Sequence, residues 1–426
     1  MRNMPLGSRF LKLNRYIAAV FIFCLPALLY ICTLSPTVSV GDSPELAASA
    51  FTLGIAHPPG YPLYILLGKG ISLIPAGDNI AHKINLLSAI LGGISALFIY
   101  LAITEAIGLI RKRAAGRTSD STSVRLTSHV SQYDHVPTFL GALIFAVSPI
   151  FWSQAVVAEV YTLNAALFTG LLWLSLRWMK NQWSDSSGSR FTAHGSQVLY
   201  LISFLWGLSL GNHHTMIAFL PVFLVFAGIY SVGAGLAPAQ EGQPQGLPLR
   251  LMSHFSLVTL FFLFGLSIYL YLPVRSGQNP FMDWGDTERV SGFLEVILRK
   301  QFGLGSRDYS LERAMAQTGY YLTLLREQFT MPGVFLGGIG LSFFIRRDFP
   351  ASLFTLALFL TYGIITTLFL NPPYIDLGAM DVMVIPSFAV FSLWIGVGLL
   401  VVYKGIAAIF TKGLTIRKER TIVIIT

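Results

Sequence analysis

Long apolar runs recur along the chain, and most approach the length needed to cross a hydrocarbon core about 30 Å thick. The runs are continuous rather than alternating, so they predict helices and exclude a transmembrane barrel. With 54% hydrophobic and only 12% charged residues, the chain is far more apolar than a soluble domain requires. We therefore predict an all-α polytopic membrane protein with about ten transmembrane helices. The predicted spans lie near residues 16–34, 84–109, 137–152, 162–179, 197–211, 215–232, 253–273, 332–345, 351–370 and 383–403.

Basic residues mark one side of these spans. Most of the 29 Lys and Arg residues lie before the first span, in alternate loops or after the last span, and the positive-inside rule places those segments in the cytoplasm. Residues 1–15 and the basic tail 404–426 are thus predicted to be cytoplasmic, and residues 16–403 to form one transmembrane domain in the cell membrane. We expect the first run to be an anchor, because no A-x-A cleavage site follows it.

The net charge of +9 does not indicate nucleic-acid binding. The basic residues are scattered among the ends of apolar runs and form no compact stripe with interleaved aromatic residues. The lipid bilayer is therefore an expected partner, and nucleic acid is not.

Two predicted outer segments, residues 35–83 and 272–330, are too long to be simple turns. They contain aromatic residues, prolines, carboxylates and helical periodicity, which is typical of folded structure that forms a site. The predicted inner connectors, such as 118–132 and 234–248, are polar or rich in Gly, Pro and Gln and lack this pattern. The chemistry is therefore expected on the extracytoplasmic side, in helical loops.

Asp42 and Glu45 open the first outer segment around Pro44. In a structural interpretation, Asp42 caps a helix, Pro44 occupies its first turn and Glu45 completes a capping box. In a functional interpretation, a carboxylate held at the membrane surface acts as a general base on an acceptor hydroxyl. The two interpretations are compatible, because a cap also fixes a carboxylate in space.

Two further polar groups follow on the predicted outer side. His57 and Tyr61 lie in the proline-rich turn HPPGYP, where His57 is either a substrate ligand or a structural histidine. Glu159 and Tyr161 lie between two predicted spans. A carboxylate at the membrane boundary is costly unless it is paired or hydrated, so Glu159 either serves the site or ties two helices together.

His213 and His214 lie at a tight outer bend. Adjacent residues of a helix point about 100° apart, so a polar pocket is favoured over a shared metal ion. Asp381, just before the last span, is another carboxylate at the membrane boundary.

The second outer segment carries Arg275, Arg299, Trp284 and Asp286. An arginine can donate two hydrogen bonds to a phosphate, although each of these could instead reach lipid headgroups. Trp284 offers an aromatic face that suits a sugar ring or an interfacial belt.

Several motifs resemble a bacterial membrane family that shares its core with the animal protein O-mannosyltransferase of the plexin-modifying type, within the GT-C glycosyltransferase superfamily. The resemblance extends in order from about residue 16 to about residue 403, and its first and fourth motifs are quite specific. The motifs are GDSPEL…GIAHPPGYPLY, FWSQAVVAEVYTLN, GLSLGNHHT, YLPVRSGQNPFMDWGD, RKQFG and MDVMVIPSF.

The resemblance implies a GT-C type bundle that transfers a sugar from a polyprenyl-phosphate donor to a protein or glycan hydroxyl, with inversion at the anomeric carbon. Asp42 matches the acidic position of this family, so the resemblance implies that it is the catalytic base. We hypothesise that Arg275 or Arg299, with a histidine, stabilises the departing phosphate. No cofactor or metal is expected, because the first loop has no DxD pair. The substrate-binding candidates are Glu45, His57, Tyr61, Glu159, Tyr161, His213, His214, Arg275, Trp284, Asp286, Arg299 and Asp381.

A secondary transporter or lipid-linked sugar flippase is the alternative. Transporters place polar residues in the middle of the membrane, on broken helices of repeated halves, whereas these acids and arginines are predicted at one surface. A scaffold without catalytic activity is the third interpretation, which the concentration of acids and rigid turns disfavours.

Overall fold

A computed structural model of the chain describes residues 6–75, 77, 79–117, 135–182, 193–233, 247–302, 310–371 and 380–425. The inner connector 118–132, most of 234–248 and residues 303–309 of the second outer segment lie outside these ranges. The α-helices are α1 (Leu6–Cys32), α2 (Ser43–Thr52), α3 (Pro62–Ser72), α4 (Ile80–Arg117), α5 (His135–Ala146), α6 (Pro149–Ala155), α7 (Tyr161–Gln182), α8 (Ala193–Leu210), α9 (Phe219–Gly233), α10 (Leu247–Leu266), α11 (Tyr271–Ser276), α12 (Val290–Ile297), α13 (Leu311–Arg347), α14 (Phe349–Leu360), α15 (Thr366–Leu370) and α16 (Ile385–Ile425).

Short turns of other helical types extend several of these elements. Three 3₁₀ turns occupy His214–Ala218, Ser267–Leu270 and Lys300–Phe302, and a π-helical turn at Thr361–Ile365 joins α14 to α15. The described residues contain no strand, and their one β-bridge pairs Ile55 with Asp283. The predicted all-helical fold is therefore confirmed.

Five helical segments of the described chain are long and apolar enough to cross a membrane. A sixth span results if α5 and α6, which are bent by 68° at residues 147–148, form one broken span. Three of the remaining predicted spans, 16–34, 197–211 and 215–232, correspond to shorter apolar helices. The fourth, 162–179, lies within α7, which is not among the five segments, so the count of about ten stays a prediction. The five segments are Ile80–Ala114, Phe255–Ser276, Leu311–Arg347, Phe349–Leu370 and Ile385–Ile409.

Small residues let the helices of the bundle approach closely. A Cβ atom at Gly207 of α8 would overlap the carbonyl oxygen of Phe262 in α10, and one at Gly340 of α13 would overlap the carbonyl oxygen of Trp394 in α16. Lipid tails are as apolar as the side chains they contact, so the hydrophobic effect does not drive membrane helices together. Van der Waals contacts between closely packed helices stabilise the bundle instead.

Helix α13 is broken near the predicted end of the second outer segment. Thr330 has a left-handed backbone, with φ of 57°, and breaks the helix two residues before Pro332. This break coincides with the predicted boundary between the outer segment and the span that begins at residue 332. The predicted helical character of both outer segments is confirmed by α2 and α3 in the first and by α12 and the start of α13 in the second.

The two outer segments interlock through backbone contacts. The Ile55 N–H donates to the Met282 carbonyl at 2.7 Å, and the Trp284 N–H donates to the Ile55 carbonyl at 3.3 Å. Gly54 permits this approach, because a Cβ there would lie 2.8 Å from the Met282 Cβ. The second segment is thereby held against the loop that follows α2.

Candidate functional site

Asp42 lies at the N-cap position of α2, but its side chain makes no capping hydrogen bond. Pro44 occupies the first turn as predicted, whereas Glu45 turns toward His57, so the capping-box interpretation is wrong. The Asp42 side chain is half exposed. Its carboxylate is therefore open to solvent at the start of a helix.

His57 links the two carboxylates. The Glu45 side chain accepts a hydrogen bond from the His57 backbone N–H at 2.7 Å and another from its ring Nδ1 at 2.8 Å. Because a carboxylate only accepts, Nδ1 must carry a proton. The other ring nitrogen, Nε2, lies 3.6 Å from an Asp42 oxygen and 3.2 Å from the Tyr61 hydroxyl. The proline-rich turn thus directs Nε2 toward Asp42.

The charges of this group shift two pKa values in opposite directions. Burial alone would raise the pKa of Glu45, but the hydrogen bonds and charge of His57 bring it below its ordinary 4.5. Burial alone would lower the pKa of His57, but the hydrogen bond and charge of Glu45, together with the charge of Asp42, raise it above 6.5 against the opposing charge of Arg299. A charged Glu45 and a protonated His57 therefore stabilise each other.

Glu159 approaches Asp42 from the segment between α6 and α7. It is 8% exposed, and its carboxylate faces the backbone N–H of Asp42, which favours the charged form. One of its oxygens, Oε2, is buried without a hydrogen-bond partner. Burial, followed by the negative charge of Asp42, raises the pKa of Glu159 to about 7. The carboxyl group is therefore partly protonated near neutral pH.

Two histidines and two tyrosines extend the polar group. The rings of Tyr161 and His213 lie 5.8 Å apart, and His214 Nε2 lies 2.8 Å from the Tyr269 hydroxyl. Burial, with help from the positive charge of Arg299, lowers the pKa of His213 to about 3. His213 is consequently neutral, and its Nδ1 accepts a hydrogen bond from the Thr215 N–H at 3.3 Å.

Arg299, just after α12, supplies positive charge to this group. Its charge opposes protonation of His57 and His213 and lowers the pKa of Tyr61, which burial raises. It acts on Tyr161 and His214 as well. The structure therefore brings together nine of the predicted residues, which we call the Asp42 cluster: Asp42, Glu45, His57, Tyr61, Glu159, Tyr161, His213, His214 and Arg299.

The other predicted arginine, Arg275, binds the C-terminal end of α2. Its Nε donates to the Leu53 carbonyl at 2.6 Å and one terminal nitrogen donates to the Thr52 carbonyl at 3.1 Å. These are carbonyls that a helix end leaves without partners, and a cation there also matches the helix dipole. The observed contacts of Arg275 stabilise the interlocked outer segments.

Three predicted residues have their observed contacts elsewhere. Trp284 donates its indole N–H to Gln301 at 3.0 Å and lines a cleft of about 390 Å³ with Ile55. Asp286 has an exposed side chain, and its backbone lies in the left-handed region, with φ of 43°. Asp381 accepts a hydrogen bond from Tyr320 at 2.8 Å.

Two groups of described residues could hold a metal ion by spacing. They are Asp42 with Glu45 and His57, and Asp283 with Asp286 and Glu288, and within each group the ligand atoms lie within 4.8 Å of one another. Exposed acidic groups are common without a metal, so the expectation that none is needed stays a prediction.

The sequence did not indicate Tyr269 or Ser276. Tyr269 contacts His214 and donates to the Leu210 carbonyl at 2.6 Å. Ser276 donates to Asp283 at 3.1 Å and to Glu288. Both residues lie in the string YLYLPVRS, where polar residues appear at the end of an apolar run. This pattern is typical of site residues and of residues at the membrane interface alike, so it does not distinguish between them.

Comparisons with known proteins agree with the predicted resemblance. The chain is similar to the protein O-mannosyl-transferase tmem260 of Dictyostelium discoideum, at 27% identity over 78% of this chain and 37% of that protein. It is also similar to the protein O-mannosyl-transferase TMEM260 of Mus musculus, at 29% identity over 74% of this chain and 38% of that protein. The matches thus span less than two-fifths of these relatives.

The fold is similar to that of the archaeal oligosaccharyltransferase AglB from Archaeoglobus fulgidus. The structure in complex with an inhibitory peptide and a dolichol-phosphate matches with a TM-score of 0.53 at 15% identity, over 93% of this chain and 52% of that one. The apo form of the Archaeoglobus fulgidus oligosaccharyltransferase matches with a TM-score of 0.51 at 14% identity, over the same shares. This likeness supports the GT-C type of fold.

The family model of the protein O-mannosyl-transferase TMEM260 N-terminal domain matches residues 42–232, from Asp42 through both histidines of the cluster. This match confirms the resemblance to the TMEM260 O-mannosyltransferase family that the sequence motifs predicted.

Proposed function

We propose that this chain is a membrane glycosyltransferase that moves a sugar, mannose or another hexose, from a polyprenyl-phosphate donor to a hydroxyl acceptor such as a protein Ser or Thr. Its site would lie on the extracytoplasmic face. The observation that carries the proposal is the half-exposed Asp42 carboxylate, held beside the His57–Glu45 pair. The relatives named as protein O-mannosyl-transferases support it, as does the AglB structure with a dolichol-phosphate and a peptide.

Asp42 is the proposed general base. Its carboxylate takes the proton of the acceptor hydroxyl while that oxygen attacks the anomeric carbon. The attack comes from the side opposite the phosphate, so the C–O bond to the phosphate breaks as the new bond forms, and the anomeric configuration inverts. The proton remains on Asp42, and the bond electrons leave with the lipid phosphate.

Arg299 is the proposed ligand of the departing phosphate. Its charge acts on His57 and His213 within the Asp42 cluster, whereas Arg275 is engaged with the carbonyls of α2. A guanidinium can donate two parallel hydrogen bonds to phosphate, and a donor fixed where negative charge develops lowers the barrier. The raised pKa of His57 lets its imidazolium add positive charge beside Asp42.

Glu159 is proposed to bind the substrate as a neutral acid. Its pKa of about 7 means that a protonated carboxyl group is available to donate a hydrogen bond to a sugar oxygen. A protonated Glu159 also avoids a second full negative charge beside Asp42, which leaves Asp42 available to accept the proton.

The test is transfer by the purified protein in liposomes that contain radiolabelled polyprenyl-phosphate mannose or glucose, with a Ser/Thr-rich peptide outside. The proposal predicts consumption of the labelled lipid, release of polyprenyl phosphate and label on the peptide. Movement of intact labelled lipid between leaflets without its consumption would instead support the flippase alternative.

Variants separate catalysis from folding in this assay. Arg299→Ala is expected to abolish most transfer while thermal unfolding stays near that of the wild type, whereas Arg275→Ala is expected to lower the unfolding temperature. Glu312→Gln removes an exposed carboxylate in the first turn of α13 and serves as the matched control. Transfer is expected to persist in a metal chelator, and its complete loss there would contradict the metal-free scheme.

A further inference from the structure

Helix α12 presents three different faces. Val290, Leu294 and Leu298 are exposed by 76%, 44% and 62%, and their spacing of four residues places them on one stripe of the helix and the residue after it. Val296 is buried on a different face. Exposed polar residues, such as Glu295, occupy a third face. A helix with one protein face, one apolar face and one polar face has the pattern of an element lying at a membrane surface.

Contacts with the neighbouring span set the depth of α12. Val296 packs in a buried cluster with Tyr269 and Leu272, which lie near the end of the candidate span Phe255–Ser276. Ser276, the last residue of that span, donates a hydrogen bond to Glu288, two residues before α12 begins. The helix therefore lies against the end of a membrane span, where headgroups meet acyl chains.

Two exposed basic residues flank the apolar stripe of α12. Arg289 precedes the helix, with its Nε 3.8 Å from a carboxylate oxygen of Glu288, and Lys300 follows Leu298 by two residues. Exposed basic side chains at the ends of an apolar stripe can reach lipid phosphates while the stripe enters the acyl boundary. Lipid explains the apolar stripe and the two cations together.

We infer that α12 is an interfacial helix whose Val290–Leu294–Leu298 stripe lies in the outer leaflet of the membrane. Arg299 directly follows this stripe and has a left-handed backbone, with φ of 52°, and its charge acts on the Asp42 cluster. The same element would thereby hold Arg299 at headgroup depth, where a lipid-linked phosphate arrives. This last link depends on the proposed function, whereas the membrane position of α12 does not.

Site-directed spin labelling tests the position without measuring activity. Cys24 and Cys32 are replaced by serine, and single labels are introduced by Leu294→Cys or Glu295→Cys in nanodiscs of phosphatidylethanolamine and phosphatidylglycerol. The label at 294 is expected to collide more with oxygen than with a water-soluble nickel chelate, and the label at the adjacent position 295 to do the reverse. Preferential collision with nickel at both positions would overturn the inference. Protection of 294 from both agents would indicate a protein partner or a second copy on the stripe, and would overturn it too.

Kinetics test the link to the donor. Leu294→Glu places a charge on the apolar stripe and is expected to raise the KM for the polyprenyl-phosphate sugar severalfold with little change in kcat, while Leu294→Phe keeps the wild-type KM. An unchanged KM in Leu294→Glu, alongside lipid exposure of the label at 294, would overturn the link to the donor and leave the interfacial position standing. Absence of transfer in the wild type would count against the proposed function alone.

Discussion

Replacing Glu45 by glutamine would remove the charge that faces His57 while nearly preserving the shape of the side chain. The amide oxygen of the variant side chain can still accept from the His57 backbone N–H, which lies 2.7 Å from Glu45 in the native protein. The amide nitrogen would then face ring Nδ1, in place of the oxygen that lies 2.8 Å away. Because that amide donates, Nδ1 would have to accept, so the ring proton would move to Nε2.

The expected loss follows from the hydrogen bond that is removed. The His57 and Glu45 side chains are 13% and 23% exposed, so solvent screens their interaction only weakly. A hydrogen bond to a charged group contributes about 1.5–3 kcal/mol. The free energy of unfolding of Glu45→Gln should thus fall by about that amount where both groups are charged. The loss should be smaller where His57 is neutral, because the attraction between the two charges is then absent.

The pH window follows from the two pKa shifts. The pKa of Glu45 is depressed below 4.5, so its contribution is present above that value and is lost as the pH falls through the folded pKa. The pKa of His57 is raised above 6.5, so its contribution is complete below 6.5 and is lost as the pH rises through the folded pKa. The pair therefore stabilises the fold most between pH 4.5 and 6.5.

Unfolding in detergent near pH 6 and near pH 9 would measure this effect. The difference between wild type and Glu45→Gln should be clearly larger near pH 6, and Glu312→Gln should show no such dependence. An equal loss at both pH values, or a larger loss near pH 9, would refute the assignment of a charged His57–Glu45 pair. If the position of the His57 ring determines the rate of transfer, loss of this hydrogen-bond energy corresponds to a decrease of about 10- to 100-fold in kcat/KM.

Two further substitutions test the packing that supports the site. Gly54→Val should separate the outer segments and reduce both stability and transfer, because its Cβ would lie 2.8 Å from the Met282 Cβ. Gly70→Ala is the control, since a Cβ at Gly70 would have nothing within 4 Å. It should retain the wild-type unfolding temperature or raise it slightly. Arg113→Ala should cost about 3–5 kcal/mol of unfolding free energy, because Arg113 Nε lies 3.0 Å from the fully buried Asp348 carboxylate; an unfolding midpoint equal to that of the wild type would contradict this.

The sequence predicted much of the site because its chemistry lies at recognisable positions. Acidic residues beside apolar runs, such as Asp42 and Glu159, are energetically costly at a membrane boundary unless they are paired or hydrated, so they indicate a functional site. The proline-rich turn that holds His57 is visible as a string of prolines. These local patterns can be recognised in the sequence without knowledge of tertiary contacts. The structure then brings the side chains of Asp42, His57 and Glu159 into one cluster.

Tertiary contacts account for what the sequence did not predict. The role of Arg275 depends on where α2 ends, since its partners are the Thr52 and Leu53 carbonyls, and backbone carbonyls leave no trace in residue types. Tyr269 was missed because the chain has 17 tyrosines and most lie near apolar runs. The sequence prediction of one span at 137–152 did not include the 68° bend between α5 and α6, although Pro149 at the second helix is typical of a helix start.

Asp42 is proposed as the base of a sugar transfer from a lipid phosphate, and its replacement tests that role most directly. The measurement is the rate of label transfer from polyprenyl-phosphate hexose to peptide by Asp42→Asn, with Glu312→Gln in parallel. Loss of a positioned general base typically lowers the rate by about 10²–10⁴-fold. We expect a loss of that size in Asp42→Asn with an unfolding temperature near that of the wild type, and full activity in Glu312→Gln. Transfer at the wild-type rate by a folded Asp42→Asn protein would contradict the assignment.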